Sequence, residues 1–390
     1  MLNRREFVLG LGATGLLTAL PGVSFAAAGP GTRVLVVLLR GAMDGLDALR
    51  PYADPNYARL RGALADANNI GHKLDGTFAL HPSLGFASEL YQNKQLLPVL
   101  AVAPPYRQRS HFDAQDCLEN GTGTPSGARD GWMDRCVRAL PGSEGLALAA
   151  VMPLIFRGGG AVSNWSPPLP EAADAALLQR LQPLYAADAA LAENFAHALS
   201  GDEEAMPAMA GMNTPRGGGT LVAMMTAAAT FMAKPDGPRV AFVEDTGWDS
   251  HRGQAAQLTR KLAELDAALK AFHAGATTIW PQTVVMVATE FGRTAAVNGT
   301  GGTDHGTGGT MLLTGGAVNG GRIAGTWPGL ANSDLNDGRD LRTTTDMRSV
   351  FKAVAQQHLG VAESALETQV FPDSRAATPL DGLLLARRNA

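Results

Sequence analysis

The stretch that most constrains the fold is residues 284–316. It begins with a short apolar run rich in valine, bounded by Pro281 and Gly292, which is typical of a buried strand in a parallel sheet. A carboxylate, Glu290, and a guanidinium, Arg293, follow directly after this run. Ligands of open α/β sheets bind beyond the carboxyl ends of the strands. The pattern therefore predicts an α/β fold with a functional site at that edge.

A loop rich in glycine and threonine then leads to Asp304 and His305, just before a second apolar run at residues 310–314. If this loop folds back, the two side chains reach the edge that carries Glu290 and Arg293. We therefore predict that these four groups lie in one site.

Composition limits the kinds of protein this chain can be. Of its 390 residues, 45% are hydrophobic and 17% charged, which fits a globular protein. The formal net charge is −4 and no basic run is present. Nucleic acid is therefore not expected as a partner.

The first 28 residues have the features of an export signal. Arg4 and Arg5 precede an apolar stretch at residues 8–20, and small residues suited to cleavage follow. This pattern predicts a twin-arginine signal, and an ordinary secretory signal is the alternative. The apolar stretch is too short for a stable membrane span. We expect a periplasmic or secreted protein that uses the twin-arginine export machinery, with residues 29–390 as a single domain.

Further apolar runs predict strands at residues 32–39, 96–102, 146–151 and 239–243. Residues 171–234 are rich in alanine and leucine, which predicts a helical insertion or cap. A helix ending at Gly275 is predicted from an apolar stripe with helical spacing: Leu258, Leu262, Leu265, Leu269 and Phe272.

Several polar side chains follow these predicted strands. Asp44 is either a ligand-binding carboxylate or a turn aspartate beside glycine. Asp249 and His251 form half of a metal site, or else belong to the start of a helix. Ser110 is either a helix cap or a nucleophile held at a helix N-terminus.

The two cysteines, Cys117 and Cys136, leave two possibilities open. They form a disulfide in an oxidising compartment, or they are two buried thiols.

The chain resembles the DUF1501 family of exported proteins. The matching segments span most of the chain in the family's order: residues 39–45, 110–113, 131–132, 249–251, 289–294 and 302–306. This family is similar to a distant branch of the alkaline phosphatase–sulfatase superfamily. The resemblance implies a three-layer α/β/α sandwich with a mostly parallel sheet and metal sites at the strand ends.

The resemblance also implies roles for individual residues. Asp44 would be the metal ligand of the first strand, and Ser110 would lie near the nucleophile. Asp249 and His251 would lie near the central pair of ligands. Glu290 would replace the strand-end Asp-His pair, and His305 would match a late histidine. The usual Asp-x-x-x-His spacing is absent, so the number of bound metal ions stays open.

These observations lead to one main functional hypothesis and two alternatives. The main hypothesis is an exported hydrolase of phosphate or sulfate esters that uses zinc, manganese or calcium. Arg293 would bind the small anionic ester, and Asp304 joins the predicted metal ligands, which are Asp44, Asp249, His251, Glu290, Asp304 and His305. The first alternative is a non-catalytic binding or assembly protein on a degenerate hydrolase fold. The second is a metal-free serine hydrolase, against which the absence of a Gly-x-Ser-x-Gly motif argues.

Overall fold

The computed structural model describes residues 31–167, 183, 192 and 221–386. The predicted export signal, residues 1–28, lies outside this part of the chain. So does most of the predicted helical segment, up to residue 220, apart from residues 183 and 192.

A large sheet forms the centre of the molecule. The strands in chain order are β1 (Arg33–Leu39), β2 (Leu49–Arg50), β3 (His72–Lys73), β4 (Ala79–Leu80), β5 (Leu96–Ala103), β6 (Gly145–Leu148), β7 (Val162–Trp165), β8 (Val240–Asp245), β9 (Thr283–Ala288), β10 (Gly309–Thr314), β11 (Leu335–Asn336), β12 (Asp340–Leu341) and β13 (Thr345–Asp346). Eight of them form the sheet in the order β13-β5-β10-β9-β1-β8-β6-β7. All neighbours in it are parallel except at β10, which is antiparallel to both β5 and β9.

Helices cover both faces of this sheet. In chain order they are α1 (Gly45–Ala48), α2 (Tyr57–Arg61), α3 (Gly85–Gln92), α4 (His111–Asn120), α5 (Trp132–Ala139), α6 (Leu221–Met232), α7 (Gln254–Gly275), α8 (Met347–Val354) and α9 (Glu363–Ala365). Short 3-10 turns occur at Gly62–Leu64, Leu154–Phe156 and Trp280–Gln282, and single π turns at Ala355–Leu359 and Leu366–Val370.

The packing of β1 explains the layers. Leu35, Val37 and Leu39 pack in one apolar core with α6 and α7, whereas Val34, Val36 and Leu38 pack in a second core with α5 and α8. Successive side chains of a strand point to opposite faces. A central strand that is apolar throughout therefore needs a helical layer on each side. The predicted three-layer α/β/α sandwich with a mostly parallel sheet is confirmed.

Most predicted elements agree with the structure to within a few residues. The third predicted strand is shorter than expected and ends at Leu148. The helix predicted from its apolar stripe spans Gln254–Gly275, and its five stripe residues are buried. Within the described chain, no helix combines the length and hydropathy that a membrane span requires.

Both cysteines are free and buried, so the disulfide alternative does not hold in this structure. Burial raises the pKa of each thiol to about 12. A thiol with so high a pKa reacts slowly as a nucleophile, because the thiolate is the reactive form.

The reversed direction of β10 places the loop before it at the same edge as the end of β9. The backbone amide of Gly292 donates to the carbonyl of Thr307 at 2.9 Å, and that of Thr294 donates to the carbonyl of Asp304 at 2.8 Å. Gly292 has to be a glycine, because a Cβ there would lie 1.8 Å from the carbonyl oxygen of Gly308. The loop therefore folds back, as the sequence predicted.

Candidate metal centre

Four side chains from three parts of the chain converge at this edge of the sheet. His111 is the first residue of α4, after the loop that follows β5. Asp249 and His251 follow β8, and His305 precedes β10. Three of the four are among the predicted site residues, and His111 is the addition.

The Nε2 atoms of the three histidines point towards one another. His305 Nε2 lies 2.9 Å from His111 Nε2 and 3.0 Å from His251 Nε2. The Asp249 carboxylate completes the group, with Oδ1 at 3.0 Å from His251 Nε2 and 3.4 Å from His305 Nε2, and Oδ2 at 3.5 Å from His111 Nε2. One ligand atom each from His111, Asp249 and His305 can be chosen so that all three lie within 4.8 Å of one another.

The other nitrogen of each ring faces a hydrogen-bond acceptor. His111 Nδ1 lies 2.7 Å from Glu290 Oε1, His251 Nδ1 3.0 Å from Asp304 Oδ1, and His305 Nδ1 3.0 Å from the backbone oxygen of Arg109. These oxygens accept only, since both carboxylates have a pKa held below its usual range. Each Nδ1 therefore carries the proton and donates it, which leaves the Nε2 lone pairs free in the neutral rings.

This arrangement fits a bound cation. Lone pairs of neutral imidazoles at 2.9–3.0 Å from one another, beside a carboxylate, repel unless a positive charge lies among them. Histidines that bind a metal usually donate their second N–H to a carboxylate or backbone carbonyl, as all three do here. Imidazole nitrogens favour zinc and related transition ions, whereas calcium prefers a shell of oxygens. We call these four residues, His111, Asp249, His251 and His305, the histidine cluster.

Arg293 holds Asp249 in place. Its Nη1 donates to Asp249 Oδ1 at 2.6 Å, and its Nε donates to Thr303 Oγ1 at 2.9 Å. The Arg293 side chain is 0% exposed, and its other donors go to the backbone oxygens of Gly41 and Thr303. Burial alone would raise the pKa of Asp249, but the hydrogen bond and charge of Arg293 hold it below its usual range.

This placement differs from the predicted role of Arg293 in binding the ester. A buried guanidinium whose donors already bind protein oxygens cannot also grip a substrate. Arg293 instead keeps the Asp249 carboxylate ionised and oriented.

Glu290 lies behind His111 and is fully buried. Its Oε1 accepts from the backbone amide of Gly41 and from Gln115 Nε2, both at 2.8 Å, as well as from His111. Burial acts to raise the pKa of Glu290, but these hydrogen bonds, with that of His111 the largest, bring it below the usual value. The structure therefore places Glu290 as an acceptor that orients His111, and its role as a direct metal ligand stays a prediction.

Asp304 has the same relation to His251. Its carboxylate, 48% exposed, accepts from His251 and from Asn298 Nδ2 at 3.2 Å. The hydrogen bond from His251 is the largest cause of its lowered pKa, and the charge of Arg339 contributes as well. Asp304 thus orients a histidine of the cluster, and its role as a direct metal ligand stays a prediction.

Asp44 lies outside the histidine cluster. Its carboxylate pairs with the fully buried Arg61, accepts from Gln254 Nε2 at 2.5 Å and caps α1 through the amide of Leu46 at 3.0 Å. A carboxylate with these three partners has little capacity left for an ion, so its predicted ligand role does not match this placement. Gln254 also accepts from Thr303 Oγ1 at 2.6 Å, so Asp44 supports the loop that carries His305.

Ser110 is the N-cap of α4. Its side chain accepts from the backbone amide of Asp113 at 3.5 Å, which is the helix-cap alternative of the sequence analysis. Within the described chain, no hydrogen bond joins its hydroxyl to an imidazole of the cluster. The cap fixes the start of α4 and with it the position of His111.

Sequence reasoning missed His111 as a member of the site. The signal was present, because His111 follows a strand and starts a helix, as His251 nearly does. Gly302, in the loop before β10, also has a role in forming the site. A Cβ on Gly302 would lie 2.2 Å from the carbonyl carbon of His251, so the loop before β10 packs on His251 only with glycine there.

Comparison with protein families gives one match. The profile of the family described as "Protein of unknown function (DUF1501)" matches residues 102–370, which carry all four members of the histidine cluster. The predicted resemblance is thereby confirmed. No curated protein matches the chain in sequence.

Solved structures match the chain at low identity. Ps i-CgsB in complex with k-i-k-neocarrahexaose is 8% identical over 86% of this chain and 74% of that one, with a TM-score of 0.45. PsFucS1 sulfatase from Pseudoalteromonas sp. is 11% identical over 100% and 78%, with a TM-score of 0.42. Alkaline phosphatase from the Antarctic bacterium TAB5 is 12% identical over 75% and 94%, with a TM-score of 0.39. Likeness this distant transfers neither residues nor activity.

Proposed function

The chain belongs to the DUF1501 family, and we propose that it is an exported metal-dependent hydrolase of phosphate or sulfate esters. The histidine cluster would hold the metal. One observation carries the proposal. The Nε2 atoms of His111, His251 and His305 point towards one another, while the Nδ1 atom of each ring donates to a fixed oxygen of the protein.

The donor set favours zinc or a related transition ion over calcium. His111, Asp249 and His305 would bind it, and His251 is the fourth candidate, 3.0 Å from both Asp249 Oδ1 and His305 Nε2. A divalent ion held there would polarise an ester oxygen and lower the pKa of a bound water. The protein itself would orient the rings through their Nδ1 hydrogen bonds, keep Asp249 ionised and hold all four side chains at one edge of the sheet.

The exposure of the site supports a reaction with a ligand from solvent. The side chains of His251 and Asp249 are 42% and 40% exposed, whereas Glu290 and Arg293 behind them are 0% exposed. If His111, Asp249 and His305 bind the ion, one coordination position is left for water or a substrate group, as in catalytic zinc sites. Structural zinc sites are instead closed by four protein ligands.

Export remains part of the proposal. Arg4 and Arg5 precede an apolar stretch, and the twin-arginine route carries folded proteins, which would allow the metal to be bound before export. Replacing both arginines with lysine should retain the precursor inside the cell. Export of that variant at the normal rate would favour the ordinary secretory route.

The test joins metal analysis with turnover. Purified mature protein should contain a transition metal and hydrolyse an aryl phosphate or an aryl sulfate. His111→Ala and His305→Ala should lose both properties. His273→Ala is the matched control, because His273 packs on Trp280 at the end of α7. Protein that stays free of metal and inactive with every divalent ion supplied would refute the proposal.

A non-catalytic binding or assembly protein is the second candidate. It is favoured by the engagement of Arg293 and Asp44, two predicted site residues, in ion pairs with other residues of the protein. In that case His251→Ala and Glu290→Ala should leave partner binding unchanged. Loss of turnover in the same variants would favour the enzyme.

A further inference from the structure

The histidine cluster needs a cationic group for an anionic ester, and Arg293 is not available for this. Asp249, Asp304 and Glu290 are three carboxylates with lowered pKa, and Arg293 is fully buried against one of them. The three carboxylates offset the charges of Arg293 and of a divalent ion, so this edge has no surplus of positive charge to attract an anionic ester. A second guanidinium at the rim of the site would supply that charge.

Two arginines flank His305, and their surroundings differ. Arg109 offers its backbone oxygen to His305, while its Nη2 binds Asp337 at 3.1 Å and Asp340 at 2.9 Å. Arg339 donates from Nη1 to the backbone oxygen of His305 at 2.9 Å, and the same atom lies 3.5 Å from Asp340 Oδ1.

Arg339 keeps free donors. Its side chain is 41% exposed, and within the described chain its Nε and Nη2 atoms have no hydrogen-bond partner. A guanidinium presents its N–H groups as a planar fork that suits tetrahedral oxyanions. The anchored Nη1 fixes one end of this fork beside a residue of the histidine cluster.

The backbone of Arg339 is also fixed to the site. Its carbonyl accepts from the amide of Ala295 at 3.0 Å. It follows a tight turn in which Asp337 and Gly338 have φ of +54° and +62°. The next residue, Asp340, is fully buried and accepts from Thr307 Oγ1 at 2.6 Å. A donor held in this way loses less conformational entropy on binding than a free surface arginine.

We propose that Arg339 binds the tetrahedral oxyanion of the substrate, with its free Nε and Nη2 donating to the non-bridging oxygens of a phosphoryl or sulfuryl group. This inference rests on the proposed function for its substrate class. It assigns to Arg339 the anion contact that the sequence suggested for Arg293.

The experiment measures binding of inorganic phosphate and of sulfate to the zinc-supplied protein by calorimetry, for wild type, Arg339→Gln, Arg339→Lys and Arg375→Gln. Arg375 is exposed and lies in the C-terminal segment after α9, so its variant makes the same charge change away from the site.

We expect Arg339→Gln to weaken binding of the preferred anion about tenfold to a hundredfold, as for loss of a charged hydrogen bond. Arg339→Lys should recover part of this loss, and zinc content should not change.

The outcomes separate the inference from the proposed function. If wild type binds an anion through Arg339 but hydrolyses no ester, the inference stands and the proposed function fails. If wild type hydrolyses esters and Arg339→Gln matches Arg375→Gln in both anion binding and KM, the inference fails and the function stands. Wild type that binds neither anion also overturns the inference.

Discussion

Arg293 Nη1 donates a 2.6 Å hydrogen bond to Asp249 Oδ1, across 44 residues of sequence. The arginine is wholly buried and the carboxylate is 40% exposed, so the pair has one fixed and one open end. The hydrogen bond joins the segment that follows β8 to the segment that follows β9 at one edge of the sheet. Asp249, the exposed member of the pair, belongs to the histidine cluster.

Loss of this guanidinium should weaken metal binding. Arg293→Met removes the donor that orients Asp249 and keeps its pKa low. We expect the metal affinity to fall about tenfold to a hundredfold, as is usual when a partner of a metal ligand is removed. Competition against a chelator measures this affinity. Arg375→Met is the matched control, and equal affinities of the two variants would contradict the role given to Arg293.

Glu290→Gln should lower metal affinity without preventing folding. Glutamine has the same shape, but its amide oxygen is a weaker acceptor than a carboxylate for the Nδ1–H of His111. We expect the metal affinity to fall about tenfold. Chelator competition at constant pH provides the measurement, with the exposed Glu363→Gln as its control. An unchanged affinity would show that His111 does not depend on this acceptor.

Asp44→Asn should lower the free energy of unfolding and leave the metal content unchanged. It leaves the guanidinium of Arg61, whose side chain is 0% exposed, without its charged partner. Breaking a buried ion pair on one side costs about 3–5 kcal/mol of unfolding free energy. Urea denaturation measures the loss, and elemental analysis of the folded fraction measures the metal. Loss of metal at unchanged stability would restore Asp44 as a ligand.

Protonation of His81 should lower the free energy of unfolding in mild acid. Burial lowers its pKa to about 4 from the ordinary 6.5, and its Nδ1 accepts from the amide of Ser83 at 3.1 Å. The folded state therefore favours the neutral ring. The resulting stability is complete above pH 6.5 and is lost as the pH falls towards 4, by at most about 3 kcal/mol.

The measurement for this prediction is urea denaturation of wild type and His81→Asn between pH 7 and pH 4. The difference in unfolding free energy between the two proteins should shrink as the pH falls. A difference that stays constant over this range would contradict the prediction.

The sequence was sufficient for the sheet and for much of the site's location. All-apolar runs such as Thr283–Ala288 predicted buried strands, because only a sheet covered on both faces buries every side chain of a strand. The rule that ligands bind beyond strand ends then placed Asp249, His251 and His305 in one site. His305 precedes its strand, and it reaches the site because β10 runs antiparallel to β9.

The roles within the site could not be predicted in the same way. A carboxylate that binds metal and one that supports a histidine look alike in sequence. Glu290 and Asp304 differ from Asp249 only in what surrounds them once the chain is folded. Arg293 was predicted to meet the substrate because it is charged and follows a strand. Its burial depends on Thr303 and Gly41, which the sequence does not show to be near.

The central claim is that the histidine cluster holds one transition-metal ion. The most direct measurement is anomalous X-ray diffraction at the zinc edge from crystals of the mature protein supplied with zinc. We predict a single strong peak at bonding distance, about 2.0–2.1 Å, from the Nε2 atoms of His111 and His305. A map with no peak between these histidines, or with zinc bound elsewhere on the chain, would contradict the account.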